Sequence, residues 1–260
     1  MYYVDYHTHP ASHGEDEVRP LQNIDLLKKY VKIATNNNIK ELGFSDHDSF
    51  LDSFRWDNLK LIKEKANIDI KLGIEVDYFP DIEEKIKNKL EKLPIDYAIG
   101  SVHHIGEWNF DNENYIENYD NWNIYELHES YYNILTKAVK SGLFDIIGHL
   151  DLIKVFNKKL GKDKVLPLIK PLLHEIKECG LAIEINVNGL NKPVQEIYPA
   201  EFVLKEVANL EIPITFGSDA HRPSRVGENI EFIYDMLKEL GVSRVATFNE
   251  REMDLVHFKI

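Results

Sequence analysis

The chain has very little cysteine: Cys179 alone in 260 residues. One thiol excludes any intrachain disulfide framework and any cysteine-built zinc site. No stretch approaches the roughly 18 consecutive apolar residues of a membrane-spanning helix. The opening run MYYVDYHTHP lacks a basic segment followed by an apolar one, so no secretory leader is expected and the cytoplasm is the expected location. Positive charge is also short, with 31 Lys and Arg against 44 Asp and Glu and a net charge of −13. That balance disfavours nucleic acid and other long polyanions as partners. A small phosphorylated substrate remains compatible where bound cations or local arginines reverse the sign inside a cleft. No low-complexity segment, and no linker rich in Pro, Gly or Ser, divides the chain. Its length and 43% hydrophobic content therefore suit one barrel-sized domain over residues 1–260.

What is present is an alternation. Short β-branched apolar runs at Tyr2–His7, Glu41–Ser45, Ile70–Val76, Tyr97–Val102, Asp145–Gly148, Leu181–Val187 and Ile214–Gly217 read as strands. Helical periodicity lies between or after them, at Ile24–Thr35, Trp56–Ala66, Ile82–Leu93, Ile124–Lys140, Leu166–Cys179, Ala200–Leu210 and Asn229–Leu240. Gly142, Gly180 and Gly241 stand where helices should stop. Seven strand–helix units predict an α/β fold, a distorted (β/α)7 barrel, with an open doubly wound sheet as the alternative. Residues 106–121 read as a long polar and aromatic loop.

Eleven histidines matter through their placement. The predicted strands lead into His7 and His9, Asp46 and His47, Glu75 and Asp77, His103, His149 and Asp151, and Asp219 and His221. In a β/α barrel such strand ends meet on one face, where active sites are built. His7 and His9, at i and i+2 on an extended segment, point to one side and can chelate one ion. Imidazole and carboxylate donors suit zinc, manganese or iron better than calcium. Glu75 has two oxygens with which to bridge two ions. His104, His128, His174 and His257 read as ordinary polar residues. Cations for a phosphate are sought in Lys154, Arg19 and Arg222, whereas Arg225 reads as a solvated charge. Asp77, Glu184 and Asn186 are the polar residues available to an amine or imidazole.

The motifs Asp5-Tyr6-His7-Thr8-His9, Ser45-Asp46-His47, Gly73-Ile74-Glu75, Gly100-Ser101-Val102-His103, Gly148-His149-Leu150-Asp151 and Gly217-Ser218-Asp219-Ala220-His221 occur in one order over nearly the whole chain. In this the sequence resembles the PHP (polymerase and histidinol phosphatase) superfamily. It is most similar to the stand-alone histidinol-phosphate phosphatases, through Gly106–Asp111 and Ala182–Asn186. The resemblance implies three metal sites, and two to three divalent ions are expected. The first would take His7, His9, Glu75 and Asp219. The second would share Glu75 and add His103 and His149. The third would take His13, His47 and His221. It implies hydrolysis of a phosphate monoester by metal-activated water, with Glu75, Asp219 and His221 as the catalytic group. Other readings are a PHP-type nuclease or phosphodiesterase, an amidohydrolase-like enzyme that also begins with His-x-His, and a PHP module that only binds metal.

Overall fold

The structure is a computed structural model that describes residues 1–11 and 22–258. His13 and Arg19 lie outside the described residues. The elements follow in the order β1 Tyr3–Asp5, α1 Ile24–Asn36, β2 Ile39–Phe44, α2 Trp56–Lys65, β3 Asp69–Asp77, α3 Glu83–Leu90 and β4 Tyr97–Ser101. A small hairpin, β5 His104–Ile105 with β6 Trp108–Asn109, comes next. Then come α4 Ile124–Lys140, β7 Ile146–Ile147, α5 Lys162–Glu178, β8 Ala182–Asn186, α6 Glu201–Asn209, β9 Ile214–Gly217, α7 Ile230–Glu239, β10 Arg244–Asn249 and β11 Glu252–His257. Every strand and helix expected from periodicity is present. The helix expected from Leu166 begins a turn earlier at Lys162, where a polar first turn hides the start.

The chain divides into two compact units: Met1–Val76, Pro94–Ile99 and Ile214–Ile260 form the first, and Asp77–Leu93 and Gly100–Pro213 form the second. In the first unit β1 pairs in parallel with β2, and β2 with β3. β9 lies along the other edge of β1, through the Tyr6 amide donating to the Phe216 carbonyl at 2.8 Å. Gly43 on β2 and Gly73 on β3 leave room for the ring of Tyr97. A Cβ at either would stand within 2.1 Å of Tyr97 side-chain atoms. The Tyr97 hydroxyl donates to the Tyr6 carbonyl at 2.5 Å, and the rings of Tyr6, Tyr97 and Phe248 pack together. Helix α1 is capped by Asn23, which accepts from the Asp25 amide, and buries Leu26, Leu27, Tyr30 and Ala34.

Two C-terminal strands escaped the sequence reading. β10 and β11 form an antiparallel hairpin in which Asn249 faces Glu252. The two turn residues, Glu250 at φ 51° and Arg251 at φ 69°, adopt the left-handed conformations of a type I′ turn. No Asn-Gly or Asp-Gly marks it. Asp96 holds the turn instead, its carbonyl accepting from the Arg251 amide at 2.9 Å.

In the second unit the end of β4 meets the β7 region through the Gly148 amide and the Gly100 carbonyl, and β7 pairs in parallel with β8. Helix α4 is capped by Asn123, accepting from Tyr125 and Glu126 amides, and α4, α5 and α6 pack in succession. Residues 106–121 are more ordered than the expected loop. They include the turn at Gly106 and the second strand of the β5–β6 hairpin, and a 3-10 segment Glu113–Asn121. Tyr119 is buried there, with its hydroxyl donating to the Phe110 and Ile153 carbonyls.

Candidate metal centre

Parallel backbone pairing in the first unit continues past the formal strand ends and carries the expected ligands with it. Thr8 bridges to Ala220 and His47 to Glu75. The amide of Asp219 donates to the His7 carbonyl at 2.8 Å, and Asp219 itself sits at φ 53°. Asp5 fixes this junction, because Oδ1 accepts from the Ser218 amide at 2.9 Å and Oδ2 from the Gly227 amide at 2.8 Å. Burial pushes the Asp5 carboxyl up to about 6.

Six of the expected residues converge here. His7 Nε2 lies 3.3 Å and His9 Nε2 3.5 Å from Glu75 Oε2, with His47 Nδ1 at 3.0 Å from the same oxygen. His9 Nε2 is 3.2 Å and His221 Nδ1 3.5 Å from Asp219 Oδ1. His7, His9 and Glu75 are each 1% exposed. One ligand atom from each of His7, His9 and Glu75 lies within 4.8 Å of the others, and the same holds for His9, His47 and His221. The His9 ring stacks on His47 and leans on His221.

The electrostatics prepare lone pairs. Burial, reinforced by the imidazoles of His221, His47 and His7, holds His9 well below its usual pKa and keeps it neutral. Burial also lowers His221, whose Nδ1 faces the Asp219 carbonyl at 3.1 Å. A carbonyl only accepts, so Nδ1 carries the proton and Nε2 the lone pair. Burial opposes ionisation of Asp219, yet the imidazoles of His7, His9 and His221 hold its carboxyl well below the usual range. His9 Nδ1 is buried without a hydrogen-bond partner, and Nε2 faces the carboxylate oxygens of Glu75 and Asp219. Four imidazoles around the carboxylates of Glu75 and Asp219, with His9 held neutral among them, fit a divalent cation with nitrogen and oxygen preference.

The second unit brings together His103 and His149, their Nε2 atoms 3.2 Å apart. Asp77 Oδ1 holds His103 Nδ1. Glu184 Oε2 accepts from the His149 amide at 2.8 Å, and Asn186 Nδ2 donates to Glu184 Oε1 at 3.3 Å. Thus Glu184 and Asn186, read as possible contacts for an amine or imidazole, support the His149 segment in this structure.

Lys154 is buried, not displayed. Its Nζ lies 2.9 Å from Asp151 Oδ2, 3.2 Å from Glu196 Oε2 and 2.9 Å from the Ile197 carbonyl, over the ring of Tyr198. Its charge already has partners, of which Asp151 is three residues away in sequence and Glu196 is 42. Arg222 is exposed beside His221, and Arg225 pairs with Glu228. His104 lies against the ring of Phe79, and His174 and His257 are exposed, as ordinary polar residues. His128 is buried in α4, its Nε2 donating to the Lys158 carbonyl at 2.8 Å.

The PHP domain family model matches residues 5–188. A Deinococcus radiodurans protein named probable histidinol-phosphatase is 39% identical over 188 residues, covering 72% of this chain and 71% of its own. The histidinol-phosphatase of Bacillus subtilis is 25% identical, covering 85% and 93%. The crystal structure of Lactococcus lactis histidinol phosphate phosphatase, complexed with zinc, L-histidinol and phosphate, superposes with a TM-score of 0.81 at 23% identity, covering 97% of this chain and 98% of that one. The chain belongs to the PHP domain family. Its fold class is the expected one, seven parallel strands with helices in a nearly closed barrel. Among the described residues no helix is long and apolar enough to cross a membrane.

Proposed function

We propose that the chain is a metal-dependent phosphomonoester hydrolase that converts L-histidinol phosphate and water to L-histidinol and phosphate, a step of histidine biosynthesis, in the cytoplasm. The observation that carries the metal chemistry is the convergence of His7, His9, His47, Glu75, Asp219 and His221, with His9 held neutral beside two carboxylates. The substrate is carried by the named relatives in Deinococcus radiodurans, Bacillus subtilis and Lactococcus lactis.

His7, His9, Glu75 and Asp219 would hold one ion, and His47 and His221, with His13, a further one. His103 and His149 would supply a ligand pair to another. Two to three divalent ions of zinc, manganese or iron are proposed. When bound, such ions acidify water towards a pKa of ~7 and neutralise phosphoryl charge.

The chain's own groups do the rest. Glu75 offers both carboxylate oxygens to the centre. Asp219, held ionised, orients the attacking water, and its charge keeps His7 and His9 turned inward. His221, with Nδ1 protonated, presents Nε2 to the centre and can take up or return a proton there. Arg222 meets the phosphate with its fork of donors, and Arg19 is the second arginine proposed for it from the sequence. Lys154 can join them only by exchanging Glu196, its more exposed partner, for phosphate. The net charge of −13 disfavours polynucleotides while short-range cations attract a small dianion.

The test is phosphate release from a panel of small phosphomonoesters that includes histidinol phosphate, with zinc, manganese and iron each supplied. Histidinol phosphate is expected to be turned over fastest. No release from any monoester under any of the three metals would end this reading.

A further inference from the structure

We propose that Asp77 is a positioning residue for the metal centre: it fixes His103 in the Nδ1-protonated tautomer and so delivers Nε2 as a ligand lone pair. The inference rests on the proposal that His103 and His149 hold an ion. It departs from the expectation that Asp77 contacts the amine of the substrate.

The geometry sets the protons. Asp77 Oδ1 is hydrogen-bonded to His103 Nδ1. An ionised carboxylate only accepts, so in neutral imidazole the proton sits on Nδ1 and the lone pair on Nε2. That lone pair points at His149 Nε2, 3.2 Å away. In this contact His149 Nε2–H donates to the His103 lone pair, and a cation held by both nitrogens requires the His149 proton on Nδ1 instead. Each ring is also held from outside the pair. Asp77 grips one, and the backbone of the other is tied through its amide to Glu184 Oε2. His103 is 8% and His149 3% exposed, so water competes weakly for either nitrogen. A carboxylate on the far nitrogen also makes the near one more basic, and loss of such a partner typically weakens metal binding by about 10- to 100-fold. Asp77 itself is 27% exposed at the end of β3. A substitution there therefore leaves no buried void.

The experiment compares wild type with Asp77→Ala, Asp77→Asn and His149→Ala. It measures zinc affinity by competition with a chromophoric chelator, and the tautomer of His103 by long-range nitrogen–proton NMR. Asp77→Ala is expected to lose zinc affinity at one site about 10- to 100-fold, with its circular dichroism unchanged. Asp77→Asn, which keeps an acceptor oxygen, is expected to lose less. His103 in wild-type protein freed of metal should be the Nδ1–H tautomer. Zinc affinity in Asp77→Ala within twofold of wild type would overturn the inference, as would an Nε2–H tautomer in the wild type. The NMR arm stands even where a variant fails to fold. His149→Ala that binds as much zinc as wild type would remove the underlying reading as well. An unaltered Asp77→Ala beside a His149→Ala that loses an ion would remove this inference alone.

Discussion

Lys154→Met separates a structural tie from a phosphate-binding role. In wild type the ammonium lies 2.9 Å from Asp151 Oδ2, with side-chain exposures of 6% and 4%. Asp151 has one further donor to Oδ2, the Ala200 amide at 2.9 Å, and its Oδ1 has no hydrogen-bond partner. Methionine keeps most of the volume, so the cavity cost is small. What remains is a buried carboxylate without its cation, at a cost of about 3–5 kcal/mol. Glu196 is 39% exposed, and its pairing adds little because water screens it. For a chain of this size about 2–4 °C of Tm accompanies each kcal/mol, so a fall of about 6–20 °C is expected. The assay is denaturant and thermal unfolding of the zinc-loaded protein, with Asp151→Asn in the same background expected to recover part of the loss. A stability change under about 1 kcal/mol would refute the buried-tie reasoning. Kinetics at a temperature where the variant is folded completes the comparison. If Lys154 holds the phosphate in the transition state, its removal lowers kcat/KM by the equivalent of roughly 2–4 kcal/mol. An unchanged kcat/KM leaves Lys154 as a tie alone.

Glu75→Ala should release more than one ion per chain, because Glu75 meets His7, His9 and His47 at 3.0–3.5 Å, and elemental analysis after desalting measures it. Loss of a single ion would contradict its bridging role. Burial pushes the Asp46 carboxyl up to about 7 from 3.8, so the fold binds its proton more tightly than the unfolded chain does. Its stabilising contribution is therefore present at low pH and lost as pH rises through the folded value, at up to about 1.4 kcal/mol per pH unit between roughly pH 4 and 7. Unfolding of metal-free wild type and Asp46→Asn across that range should differ by this slope, and parallel curves would refute it. Arg222→Ala should raise KM for the phosphate substrate with metal content unchanged; an unchanged KM would return Arg222 to the solvated surface.

The convergence of most candidate residues was legible because each of them follows an apolar strand. Strand ends such as Phe44 or Gly217 are marked by burial pattern and chain reversal, and polar residues collected there stand out. Separation in sequence hid other features. Lys154 reads as a cation for the phosphate until its partner Glu196 is brought to it by the fold. Asp77 gives no hint that His103 is its partner, 26 residues on. The terminal hairpin was hidden by turn chemistry, since Glu250 and Arg251 occupy left-handed positions that usually advertise themselves with Gly or Asn. The ordered segment after Gly106 was hidden because its aromatic residues pack locally rather than with a strand or helix period.

The central claim is tested most directly by kcat/KM with one zinc-loaded preparation acting on L-histidinol phosphate, a generic aryl phosphate and a short single-stranded oligonucleotide. The account predicts that histidinol phosphate is hydrolysed most efficiently, that the aryl phosphate follows, and that the oligonucleotide stays intact. Efficient cleavage of the oligonucleotide without turnover of histidinol phosphate would contradict it.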